Sequence, residues 1–376
     1  MAGAVKTLLI AALLAAPTWT TANSDSTGDQ DNAAVSATRN GFTVVVWEDD
    51  RDTATPNDPV HSDVWIRLFS DGVSRYEKKI SAGGTGNWRH VQPDVALHED
   101  GTAVVVWAED PDGNGFYNIA VRSVSPAGAV TGTGTANASS DGQQLNPAVA
   151  ADPDTAGFAV VWEDKQATTD PTVRVAGFSS LSAKTYETQV HAAGGTHQDP
   201  DVAMGAAGNA IVVWEADGDV GRKILTPSGG VKLAQGVANT VTAGAQRKPA
   251  VAANFNGDFV VAWEGGARSF SAAGVAGSAD VAIPGADPQA GIDDQRNAVV
   301  SWTQATDVYA QGLNVDGTVT GRLPRQLTVQ TAAGRQDEPA LGVDPWGQIT
   351  VAYTDDRDGN GFDQVYLGTG MVNTEW

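Results

Sequence analysis

A short hydrophobic strand ending in an aromatic side chain recurs seven times along this chain, at Trp47, Trp107, Trp162, Trp214, Trp263, Trp302 and Tyr353. Fourteen or fifteen residues before each aromatic begins a second apolar segment. In six copies it opens with proline: Pro93-Asp94-Val95-Ala96, Pro147-Ala148-Val149-Ala150, Pro200-Asp201-Val202-Ala203, Pro249-Ala250-Val251-Ala252, Pro288-Gln289-Ala290-Gly291 and Pro339-Ala340-Leu341-Gly342. The first copy, Asn32-Ala33-Ala34-Val35, lacks it. Repetition constrains a fold more than any single motif, because each unit carries an apolar face that only a neighbouring unit can cover. Successive aromatics lie 39 to 60 residues apart, which suits four short strands and is too long for a leucine-rich or β-helical coil.

In the second unit, Val95 to Leu97, Ala103 to Trp107, Asn118 to Val124 and Ala129 to Thr135 read as inner, second, third and outer strands, with Gly, Asp, Pro and Ser at the turns. Runs such as Thr43-Val44-Val45-Val46-Trp47 and Ala159-Val160-Val161-Trp162 are apolar on both faces, as a strand sandwiched between two sheets must be. A linear stack would want polar capping units, and the sequence has none; a ring covers every sheet twice. The expected fold class is all-β, a seven-bladed β-propeller of four-stranded antiparallel blades occupying residues 23–376. The sixth unit is short, and its outer strands are the least defined. The last unit ends soon after its third strand, near Gln364 to Leu367, so the ring has two possible seals. Either Gly368 to Trp376 forms the outer strand, or residues just after the signal peptide (1–22) do, since the segment from Thr21-Ala22-Asn23 up to Asn32 resembles that from Thr135-Ala136-Asn137 up to Pro147.

Residues 1–22 carry Lys6, an apolar run from Leu8 to Ala16, Pro17 and the small-x-small triplet Thr20-Thr21-Ala22, the pattern of a secretory signal peptide. The run is too short for a membrane span, and no later stretch reaches the required length of about 20 apolar residues. A secreted, extracellular, monomeric protein is expected. It has no cysteine, so disulfides, thiolate catalysis and thiolate metal sites are excluded. The formal net charge of −22 disfavours nucleic acid and anionic membranes and favours cations and basic partners.

The repeat resembles one found in bacterial secreted and surface proteins, in which a Gln-x-x-Pro-x-Val-Ala strand precedes a Val-Val-x-Trp strand. Gln144, Gln246 and Gln336 hold the Gln position, and His90 and His197 replace it. The resemblance covers the mature chain and implies a propeller with an extracellular life; it carries no shared activity.

Two loops between second and third strands satisfy Asp-x-Asp-x-Asn-Gly: Asp110 to Gly115 and Asp356 to Gly361. Asp110, Asp112 and Asn114, with Asn118 further on, and Asp356, Asp358 and Asn360 supply the oxygen ligands that Ca²⁺ prefers. The first loop is similar to the calcium loops of integrin alpha-subunit propellers; Gln364 stands where the second would have its later ligand. The same residues are also favoured in hairpin turns for backbone reasons alone.

Acids crowd the exits of the second strands, at Glu48-Asp49-Asp50, Glu109-Asp110, Glu163-Asp164, Glu215 with Asp217, Glu264 and Asp355-Asp356, which makes one face of the ring negative. The Gln/His positions His90, Gln144, His197, Gln246 and Gln336 are expected at the mouth of the central channel, to contact a ligand or tie neighbouring blades together. The histidines lack zinc-site spacing. No Ser-x-Asp-x-Gly-x-x-Trp boxes, Gly-x-Ser-x-Gly elbow or phosphate loop is present. The sequence thus points to a non-catalytic, calcium-supported module that engages carbohydrate or protein through its acidic face, with a secreted carbohydrate-active hydrolase or lyase as the alternative.

Overall fold

The computed structural model describes residues 19–52, 61–82, 89–110, 113–165, 171–205, 207–313, 325–326, 336–357, 359 and 361–371. Seven antiparallel sheets form a seven-bladed β-propeller. The second blade shows the repeat fully: His90–Leu97, Ala103–Glu109, Asn118–Val124 and Val130–Thr135 run from the channel to the rim. Its inner strand begins five residues earlier than the apolar pattern suggests, because the polar residues before the proline still pair with the second strand, His90 opposite Glu109. No described helix is long and apolar enough to cross a membrane.

Closure is visible in the core. Seven apolar clusters each join two neighbouring blades, and one of them joins the last to the first: Val45, Trp47 and Phe69 pack with Ala340, Ala352 and Val365. The repeat aromatics are the bulkiest buried groups; Trp47, Trp107, Trp162, Trp214, Trp302 and Tyr353 have no exposed surface. Burying each contributes roughly 2–3 kcal/mol, and the clusters place that burial between neighbouring sheets.

An N-terminal strand seals the ring, drawn from within residues 1–22 rather than from just after them. Thr20–Thr21 pairs with the third strand of the last blade, Thr20 opposite Leu367 and Thr21 opposite Tyr366, so part of the stretch read as leader lies inside the fold. The fifth blade is the truncated one. It has three strands, Ala250–Ala253, Phe259–Trp263 and Gly266–Phe270, with isolated bridges to Val281 and Ala276 in place of a fourth. This matches the 39-residue gap between Trp263 and Trp302. In the sixth blade the described outer strand is Arg325–Gln326.

Four cations brace the seams. Arg67 donates to the Ala22 carbonyl (2.6 Å), Lys184 to Ala136 (2.6 Å), Lys223 to Val190 (2.8 Å) and Arg268 to Ala238 (2.9 Å). In each case a side chain of one blade holds the carbonyl that ends the outer strand of the blade before it. Charge-assisted bonds of this kind contribute about 1.5–3 kcal/mol.

Candidate functional site

Near the start of each inner strand stands a polar residue in the left-handed conformation: Asn32, Gln92, Asn146, Asp199, Lys248, Asp287 and Glu338, all with φ between 48° and 57°. Six of them precede proline, a position that normally holds the chain extended. Bulges overcome that preference. The register slips between Val91 and Asp94 in the second blade, with equivalent slips in the first, third, fourth, sixth and seventh. A bulge re-aims the side chain it carries, and all seven line the mouth of the central channel, a space of about 630 Å³.

Neighbouring blades hold this collar together. The backbone N–H of Asn32 donates to Glu338 (2.8 Å), that of Gln92 to Glu48 (2.7 Å), that of Asn146 to the Gln92 side chain (2.9 Å) and that of Asp199 to Glu163 (2.8 Å). Lys248 pairs with Asp287. The acids that follow each tryptophan therefore divide by position. Glu48 and Glu163, directly after Trp47 and Trp162, support the collar. Asp49 and Glu109, two places after Trp47 and Trp107, accept the indole N–H of those residues at 2.7 and 3.0 Å.

Carboxylates dominate the electrostatics. Burial, followed by the nearby charges of Glu163 and Glu215, pushes Asp199 up to about 6. Burial pushes Glu48 up to about 7 despite the bonds it accepts from Gln92 and Asn32. Deeper in the channel, burial raises Asp94 to about 6 and Asp201 to about 7, although they accept the Val149 and Val251 amides at 2.7 and 2.6 Å. Lys248 is the one cation, and no aromatic ring is present, among the described residues lining the mouth. At the opposite end the channel narrows to about 220 Å³. There Arg39 of the first blade reaches Glu99 of the second (3.3 Å) and Asp294 of the sixth (3.9 Å), and its guanidinium lies 5.0 Å from the Phe255 ring of the fifth.

The Gln and His residues expected at this mouth stand two places before the collar residues and lie in the seams between blades. His90, Gln144, His197, Gln246 and Gln336 are at most 6% exposed. Gln144 and Gln246 lie against the asparagine that follows an outer strand: Asn137 donates to Gln144 at 3.3 Å, and the amides of Asn239 and Gln246 are 3.4 Å apart. Asn23 and Gln30 repeat the pair at 3.0 Å. Each asparagine oxygen also accepts the N–H of the third strand's second residue, from Val365, Ile119 and Val220 at 3.2, 2.8 and 2.9 Å. His90 Nδ1 lies 2.9 Å from the Ser62 carbonyl, and the Gln336 amide donates to Asp355 at 3.4 Å. The collar itself was missed by sequence reasoning. Its signal was the polar residue directly before each proline.

In the candidate calcium loops, Asp110 accepts the amides of Asn114 (3.1 Å) and Gly115 (2.8 Å), and Asp356 accepts that of Gly361 (3.2 Å). Asn114 accepts the Phe116 amide at 2.7 Å, and Asn118 accepts from Asn137 at 2.8 Å. Apart from the Asn137 bond, which reaches the third strand from the end of the outer one, these are the bonds of self-capped turns. Asp112, Asp358 and Asn360 lie outside the described residues. A different cluster, Asp29, Asp31 and Asp363, brings three carboxylates within 4.8 Å of one another where the first and last blades meet, close enough to hold a metal ion. Burial, followed by mutual repulsion with Asp29, Glu338, Asp363 and Glu48, pushes Asp31 up to about 8.

No protein-family model and no curated protein matches the sequence. Solved structures do. A protein of unknown function from Dyadobacter fermentans is 12% identical over 93% of this chain and 97% of its own, with a TM-score of 0.58. The polysaccharide lyase Uly1 is 12% identical over 92% of this chain and 90% of its own (TM-score 0.55). An alpha-L-arabinanase from Penicillium chrysogenum, solved with arabinobiose, is 11% identical over 93% and 95% (TM-score 0.53). Likeness at this identity establishes the propeller fold, and the resemblance to the bacterial surface repeat rests on the repeat residues alone.

Proposed function

We propose that this chain is a non-catalytic extracellular binding module whose acidic channel mouth engages the positively charged groups of a protein or carbohydrate, with Ca²⁺ supporting the junction of the first and last blades. The observation that carries this reading is the collar. It presents Asp199, Asp287 and Glu338 with Lys248 as its one cation, backed by Glu48 and Glu163. Stacking a sugar face needs an aromatic platform, which this lining does not supply, whereas an ammonium group needs only acceptors and negative potential. The cluster of Asp29, Asp31 and Asp363 is the better calcium candidate, because it brings three carboxylates within 4.8 Å of one another, although Asp29 also accepts the Asp363 amide at 2.7 Å.

The test is calorimetric titration with oligolysine and with glucosamine oligomers, each beside its N-acetylated form. Binding of the cationic forms that weakens with salt and with the D199N/E338Q variant supports the reading. Equal binding of the acetylated forms removes it.

A second reading, a polysaccharide hydrolase or lyase, draws on the lyase and arabinanase among the similar structures and on carboxyls held near neutrality, Glu48 and Asp201 at about 7. Such carboxyls are suited to proton transfer. Their existing bonds to backbone amides speak for a structural duty. Turnover of any polysaccharide in a reducing-end or unsaturated-uronate assay, lost in E48Q, would favour the enzyme.

A further inference from the structure

Three seams of the ring share an uncharged device, the Asn/Gln pairs Asn23–Gln30, Asn137–Gln144 and Asn239–Gln246. At the corresponding place between the third and fourth blades the sequence has two histidines, His191 and His197. His191 does the work of the asparagine: its Nε2 accepts the Val173 amide at 3.0 Å, as the asparagine oxygens accept Val365, Ile119 and Val220. Its Nδ1 lies 2.7 Å from the Ala192 carbonyl, which only a donor can satisfy, while the Gln189 side-chain amide, 3.3 Å from the same nitrogen, donates to the His191 carbonyl at 3.2 Å. His197 stands in the glutamine position. Its Nδ1 accepts the indole N–H of Trp214 at 3.1 Å, and its Nε2 donates to the Gly194 carbonyl at 2.9 Å. Trp214 depends on this acceptor because Ala216 occupies the place two residues on, where Asp49 and Glu109 serve Trp47 and Trp107.

Each ring therefore has one donating and one accepting nitrogen, an arrangement that only neutral imidazole provides. The two rings stack with centroids 3.5 Å apart and are 8% and 4% exposed. Protonating either one turns an acceptor into a donor facing an N–H, and protonating both places like charges in contact. We propose that the His191–His197 pair makes the junction of the third and fourth blades an acid-sensitive latch, closed at neutral pH and loosened in acid, while the Asn/Gln seams stay closed.

The charged groups facing the pair pull in opposite directions: Lys223, bonded to the Val190 carbonyl, disfavours protonation, and Asp217, bonded to the Thr196 amide, favours it. Burial is the largest influence and lowers His191 below its ordinary value of 6.5, with His197 adding to the effect. The unfolded chain takes up this proton near 6.5 and the folded one only at lower pH, so the latch is fully closed above that value and weakens as pH falls.

The test compares wild type with H191N/H197Q, which rewrites the seam as the Asn/Gln version. The variant's melting temperature is expected to rise relative to wild type by about 2 °C or more between pH 7.5 and pH 5. Because both proteins share every carboxylate, the difference isolates the pair. Hydrogen exchange on the wild type gives a second readout that needs no variant. After correction for intrinsic rates, the Val173 amide is expected to lose protection at pH 5 while Ile119 and Val220, its counterparts in Asn/Gln seams, keep theirs. Equal protection of Val173 at both pH values, or parallel melting profiles for the two proteins, overturns the proposal.

Discussion

Trp19 meets Tyr353 edge to face, with ring centroids 5.1 Å apart. The contact joins the residue just ahead of the closing strand to the last of the seven repeat aromatics. Behind it, the backbone N–H of Ala22 donates to Val365 (2.7 Å), Ala22 is fully buried, and Gly368 leaves room for the indole, since a Cβ there would stand 2.3 Å from a Trp19 ring carbon. A chain beginning at Asn23 should therefore melt about 5 °C below one beginning at Trp19, and Gly368→Ala should reproduce part of the loss by displacing the ring. Differential scanning calorimetry of the three proteins checks this. Cleavage after Ala22, the leader boundary expected from the sequence, would remove the seal, so intact-mass analysis of protein recovered from the medium of a secreting host is expected to place the N-terminus at or before Trp19.

The tryptophans differ in what their indole nitrogen meets. Trp47 donates to Asp49, whereas the buried Nε1 of Trp162 has no hydrogen-bond partner. Trp162→Phe removes an unsatisfied donor along with some volume and should cost under about 1 kcal/mol. Trp47→Phe also loses a charge-assisted bond and should cost about 2 kcal/mol more. Urea unfolding of both variants gives the comparison.

Asp199 is a left-handed residue that asparagine can replace without backbone strain. Burial and its acidic neighbours raise its folded pKa to about 6 from 3.8, so the folded chain keeps a proton that the unfolded chain has released. Stability from this residue is complete below 3.8 and is lost as pH rises through about 6. Asp199→Asn should thus be neutral at pH 3.5 and stabilising by about 1 kcal/mol at pH 7.5, after allowance for partial solvent exposure. The same change should weaken oligolysine binding at pH 7.5 and leave it unaffected at pH 5. Thermal melts and titrations at the two pH values report both effects.

Calcium at the junction of the first and last blades would neutralise carboxyls that now repel one another. Ca²⁺ at a hundredfold excess over its dissociation constant is expected to raise stability by about 2.7 kcal/mol. Asp363→Asn should abolish that gain, and Asp110→Asn should preserve it. A melting curve insensitive to chelator would take the ion out of the account.

Blade number and strand order were legible because hydrophobic repetition is a property of the chain itself. The collar was not. A polar residue before proline reads as an extended dipeptide, and only the bulge, which depends on pairing with the second strand, turns Gln92 or Asp199 through its left-handed bend. The bulge also shifts which residues face the channel, and Gln144 therefore lies in a seam while Asn146, two places on, reaches the mouth. Closure was readable as one of two options, since Thr21-Ala22-Asn23 has the same local chemistry as the end of the second blade's outer strand, although nothing local says which sheet it joins.

The left-handed bend recurs at all seven collar positions whatever side chain is mounted there, and at six of them a register slip accompanies it. Asn, Gln, Asp, Lys and Glu all occupy it here with nearly the same φ. The backbone thus offers seven equivalent mounts, and where a side chain does not also brace its neighbour, as Gln92 braces Asn146 and Glu338 braces Asn32, a single substitution changes what the mouth presents while the bend beneath it stays.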